Sequence, residues 1–137
     1  RSHVPTRALK KRGPPMAERL SRKALQLLLS GKVKEDAAVA VKFYSNDCHY
    51  CHTLKDKYEE LSEEFEEEVY FYAFNVEDYP EIEGILNFRG VPTICYMKVG
   101  TNPRIRLMSE PSEPNGETWY DVSDIRKFIQ DQRSKSQ

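Results

Sequence analysis

Residues 39–51 read Val39-Ala40-Val41-Lys42-Phe43-Tyr44-Ser45-Asn46-Asp47-Cys48-His49-Tyr50-Cys51, and the fold turns on how this stretch divides. Val39, Val41 and Phe43 alternate with Ala40, Lys42 and Tyr44. That is the period-two pattern of a strand, written in residues that favour one. Beyond it, Cys51, Leu54, Tyr58, Leu61 and Phe65 recur at steps of three and four, which places them on one face of a helix. Two cysteines therefore stand where a buried strand ends and an amphipathic helix begins. The free amides and dipole of a helix N-terminus favour negative charge, so a cysteine there ionises more readily, and the thiolate is the form that attacks disulfides. With two residues between them, the second thiol is within reach to resolve a mixed disulfide. Ser45, Asn46 or Asp47 is the expected helix cap. The Asp47 carboxylate beside Cys48 opposes thiolate formation while the helix end favours it.

A C-x-x-C pair alone is not specific. Residues 48–52 also spell C-x-x-C-H, the attachment signature of a c-type haem, with Met97 or Met108 as a conceivable sixth ligand. A zinc site from Cys48, Cys51 and His49 or His52 would need a fourth ligand, and Cys95 and His3 lack ligand spacing. A second feature favours disulfide chemistry. Arg89-Gly90-Val91-Pro92-Thr93 leads into another strand-like run, Ile94-Cys95-Tyr96-Met97-Lys98-Val99. With its "VKFYS" strand, C-x-x-C at a helix start and "GVPT" before a strand, the chain resembles the thioredoxin family across residues 38–99, and more loosely to Gln132.

The resemblance implies an α/β thioredoxin-like fold: a central mixed sheet of about four strands flanked by helices. It implies thiol–disulfide exchange on protein clients, with Cys48 as nucleophile, Cys51 as resolving thiol, and Val91, a cis Pro92 and Tyr50 shaping the client groove. It calls for no cofactor and no metal. Two positions depart from the family. Thioredoxins usually place an acid at Lys42, beneath the cysteine pair, and a tryptophan at Asp47; the only tryptophan here is Trp119. Lys42 either buries its stem and sends its head to solvent or an acid, or stabilises a thiolate, or acts as a base if burial lowers its pKa. Lys42 and Asp47 are thus candidate modulators of the pair. Cys95 is either a small buried residue or a third redox thiol.

The 137 residues suit one domain, and no apolar run approaches the length of a membrane span. The near-zero net charge hides an asymmetry: residues 1–34 carry +9 and residues 35–137 carry −10. The expected organisation is a basic extended arm at 1–15, a thioredoxin-like domain at 16–133 and a short tail at 134–137. The arm has the Lys10-Lys11-Arg12 cluster and three prolines but no interleaved aromatics, so it is no strong nucleic-acid signal. A basic start without Met gives the expectation of a processed protein of mitochondrion or plastid. The alternative to an enzyme is a thioredoxin-fold subunit of a larger assembly, docked through residues 1–34 or the polar loop 109–118.

Elsewhere the pattern predicts a helix over Met16–Ser30, with Met16, Leu20, Ala24, Leu27 and Leu28 on one face and Gly31 as its stop. A buried strand is expected at residues 69–76, a short helix at Tyr79–Phe88, an edge strand at residues 104–108 and a closing helix at Asp121–Gln132. The Glu-rich run at residues 59–68 reads as a solvated helix face.

Overall fold

The computed structural model describes residues 17–135. The basic arm, Met16, His3 and the last two residues lie outside them. Five strands form one mixed sheet among the described residues: β1 (Glu18–Arg19), β2 (Ala37–Tyr44), β3 (Tyr70–Asn75), β4 (Thr93–Val99) and β5 (Arg104–Leu107), in the order β1-β3-β2-β4-β5. β2 is its centre. It runs parallel to β3 from Val39↔Tyr70 to Tyr44↔Asn75, and antiparallel to β4 from Ala37↔Val99 to Phe43↔Thr93. β5 is the edge strand, antiparallel to β4.

The alternation in β2 sorts the helices onto two faces. Val39, Val41 and Phe43 join Leu25 and Leu28 of α1 (Arg22–Leu29) and Ile82 of α3 (Ile82–Leu86) in one core. Ala40, on the opposite face, joins Leu54, Tyr58 and Leu61 of α2 (His49–Glu64) and Ile125 and Ile129 of α4 (Val122–Lys135) in the other. Cys95 falls in the first core and is fully buried. A short 3₁₀ turn at Val76–Asp78 connects β3 towards α3.

The N-terminal segment corrects the sequence reading. Residues 18–19 pair with β3 instead of continuing the helix, as Glu18↔Tyr72 and Arg19↔Ala73. The Ser21 hydroxyl accepts the Ala24 N–H at 3.1 Å, which caps the helix and starts it at Arg22. The open edge of β3 supplies hydrogen bonds that an extra helical turn would leave unused. The buried face accordingly uses Leu25 and Leu28, with Leu20 from ahead of the helix, while Leu27 is exposed. Gly31 takes φ +80 after the helix, where its lack of a side chain is needed. The Glu-rich run is solvated, with Glu60, Glu63, Glu64 and Glu66 to Glu68 all exposed. Glu64 receives a bidentate pair from Arg126 at 2.8 and 2.7 Å, and Glu68 lies 3.7 Å from Arg133, so the C-terminal end of α2 is tied to α4.

Candidate functional site

β2 ends at Tyr44, and three residues later the chain turns into α2 with Cys48 as its N-cap. The cap is the cysteine itself, not Ser45, Asn46 or Asp47. Its Sγ accepts the Cys51 N–H at 3.1 Å, so it occupies the position where a helix start offers free amide donors. Asp47 is exposed and receives the Ser45 hydroxyl at 3.0 Å. Cys48 and Cys51 are joined as a disulfide, with Cα atoms 5.2 Å apart. His52 donates from Nε2 to the Asn46 carbonyl at 2.6 Å.

The two sulfurs differ in access: Cys48 is half-buried, whereas Cys51 is only 3% exposed. Val91, reached across the sheet top, places its carbonyl oxygen 3.7 Å from Cys48 Sγ. The Val91–Pro92 peptide bond is cis. This turn is held by the Gly90 N–H on the Glu83 carboxylate at 3.1 Å and the Thr93 hydroxyl on the Gly90 carbonyl at 2.8 Å. Three of the residues singled out in sequence, Cys48, Val91 and Pro92, therefore meet at one end of the sheet.

Tyr50 meets a residue that sequence reasoning left aside. Trp119 comes back against it, with ring centroids 5.4 Å apart. The polar loop is folded tightly enough to hold that ring. Asn115 and Trp119 exchange backbone hydrogen bonds at 2.9 and 3.0 Å, the indole N–H donates to Glu110 at 3.0 Å, and the Thr53 hydroxyl donates to the Glu117 carbonyl. Trp119 itself sits at φ +67. The only hint in sequence was a large aromatic residue inside a polar loop, where it needs something to pack on.

Lys42 lies on the α2 side of β2, as the alternation requires, and is 5% exposed. Burial lowers its pKa to about 8, against an opposing pull from Glu59 and with a smaller push from Lys55. Lys42 and Cys51 line the same cavity of about 280 Å³. Burial pushes the Cys95 thiol up to about 12, which keeps it protonated and unreactive at neutral pH.

The model of the thioredoxin family matches residues 28–114. The chain belongs to the thioredoxin family. Two curated relatives are bacterial thioredoxins: that of Borreliella burgdorferi, 27% identical over 53% of this chain and 62% of its own, and that of Rickettsia bellii, 32% identical over 50% of this chain and 65% of its own. The chain thus spans less than two thirds of either relative's length. Among solved structures, the Trx4 domain of ERdj5 superposes with a TM-score of 0.69 at 14% identity, covering 89% of this chain and 99% of that one, a likeness of fold. No helix among the described residues is long and apolar enough to cross a membrane.

Proposed function

We propose that this thioredoxin-family chain is a protein thiol–disulfide oxidoreductase working through Cys48 and Cys51. The observation that carries this reading is the asymmetric disulfide at a helix N-terminus: Cys48 accessible and facing the Cys51 N–H, Cys51 buried behind it. In the reducing direction the Cys48 thiolate attacks one sulfur of a client disulfide. A Cys48–client bond forms, and the other client sulfur leaves as a thiolate and takes a proton. Cys51, deprotonated, then attacks Cys48 Sγ and expels the second client thiol. Two electrons and two protons pass to the client, and the Cys48–Cys51 disulfide remains. The reverse sequence oxidises a client dithiol.

Val91, Pro92 and Tyr50 form the client groove in this reading. An extended client segment pairs with the Val91 backbone beside Cys48, by strand addition. Lys42 stabilises the Cys51 thiolate as it forms, and Asp47 disfavours the thiolate at Cys48. The domain covers residues 16–133, with the basic arm ahead of it. The loop 109–118 packs beside the motif through Glu117, with Trp119 directly after it on Tyr50, which supports a part in client contact over a part in separate assembly.

A Cys51→Ser variant tests this. It should accumulate mixed disulfides with client proteins that dithiothreitol releases, and Cys48→Ser should form none. Equal adduct yields from both variants, or full exchange activity in either, would contradict the assignment.

A further inference from the structure

Behind the disulfide lies the half-open cavity of about 280 Å³ already noted, walled by β1, β2, β3 and α2. Neither Val91 nor Pro92 lines it, so it is separate from the client groove. Its charges are unbalanced. Arg19, Lys42 and Lys55 are cationic, while Glu59 is the one carboxylate among the described residues of the wall. Lys42 is the residue of interest. The residue is 5% exposed and lines the cavity, where Glu59 is the opposing charge that acts on it. It stands over the rings of Tyr58 at 5.2 Å and Tyr44 at 5.9 Å, both walls of the cavity. Ring faces attract a cation weakly and do not replace an acceptor. A carboxylate in the cavity supplies the charged acceptor that the rings do not.

We propose that this cavity is a binding site for a small monocarboxylate, held with its carboxylate on the Lys42 ammonium. Occupancy would be tighter in the disulfide form than in the dithiol form. The rest of the wall decides the ligand class. Ala17, Ala73 and the two tyrosine rings offer apolar surface around a single buried cation. A short acid such as propionate presents one charged end and an apolar body, which matches that wall. Phosphate, charged on all sides, would leave oxygens facing apolar surface.

The redox dependence follows from Cys51 lining the same cavity. On reduction, a thiolate at Cys51 competes with the carboxylate for Lys42; in the disulfide no such charge exists. The ligand therefore favours the oxidised pair and lowers its reduction potential. This linkage rests on the proposed redox role of the pair, whereas binding to the disulfide form does not.

The test is calorimetric titration of the oxidised and the reduced full chain with propionate and, separately, inorganic phosphate, in a zwitterionic buffer. The expected result is saturable one-to-one binding of propionate to the disulfide form, at least tenfold weaker in the dithiol form. That tenfold ratio corresponds to a fall of about 30 mV in the midpoint potential at saturation. Lys42→Met should abolish binding. Lys55→Glu, at an exposed rim position, should weaken it several-fold and serves if Lys42→Met does not fold. Absence of saturable propionate binding, binding unchanged in both variants, or phosphate binding tighter than propionate overturns the site. Equal affinity for the two redox forms overturns the linkage. Because the oxidised chain is titrated without any client, failure of client exchange leaves the binding result readable.

Discussion

Replacing Lys42 with methionine keeps an unbranched apolar stem and removes the charge. In the disulfide form burial is the main cause that draws the amine from 10.5 to about 8. At 1.36 kcal/mol per pKa unit this difference corresponds to about 3 kcal/mol. Between pH 8 and 10.5 the unfolded chain still holds the proton and the folded chain has lost it, so stability rises with pH across that window. Below pH 8 both states are protonated and the folded state carries the full cost of the buried charge. Lys42→Met should therefore raise the stability of the oxidised protein at pH 7 by up to about 3 kcal/mol and remove the rise above pH 8, in line with the general gain when apolar groups replace buried charge. Urea unfolding of both oxidised proteins from pH 7 to 10 measures this, and the difference between the two curves cancels the other titrating groups. A variant less stable than the parent at pH 7, or a difference that stays flat up to pH 10, would refute the reasoning.

Other consequences are equally direct. Tyr58→Phe removes the hydroxyl that donates to the Tyr72 carbonyl at 2.7 Å inside the core, and should cost about 1–2 kcal/mol in chemical denaturation; a neutral change would place that hydroxyl in water. Leu54→Ala empties a fully buried position between α2 and the sheet and should cost about 2–5 kcal/mol, a loss that an unchanged denaturation midpoint would rule out. Tyr50→Ala uncovers the only tryptophan, so its emission should move to the red with a loss of about 1 kcal/mol from the aromatic pair; an unmoved spectrum would place Trp119 away from the motif. In the reduced protein at pH 8, iodoacetamide should modify Cys48 in the native state, since it alone of the three is half-buried, and reach Cys95 only after unfolding, since burial pushes that thiol up to about 12; native labelling of Cys95 would contradict its burial.

The centre of the fold was legible because its pattern is local. Alternation in residues 39–44 and the three-and-four spacing from Cys51 to Phe65 each record which side faces a core, and those sides are the ones observed. β1 was not legible. Two residues carry no periodicity, and what makes them a strand is the edge of β3 some fifty residues on. The cap was misassigned for a chemical reason: Ser45, Asn46 and Asp47 are better capping types than cysteine, but the chain turns one residue later and the thiol sulfur takes the amide. The side of the sheet that Lys42 faces followed from alternation, whereas the cavity it lines depends on which residues of β1 and α2 surround it. Trp119 at Tyr50 lay beyond reach of sequence, since it requires the whole fold of the loop from Glu110 to Asp121.

The central claim is that Cys48 and Cys51 cycle together as a working redox pair. It is tested most directly by a mass-shift titration of alkylated thiols, with the purified protein equilibrated across glutathione and dithiothreitol buffers. The account predicts one reversible two-electron transition in which Cys48 and Cys51 become alkylated together, with a midpoint between roughly −120 and −300 mV, the range spanned by working exchange proteins. A pair that stays oxidised well below that range, or two cysteines that are alkylated independently of each other, would contradict it.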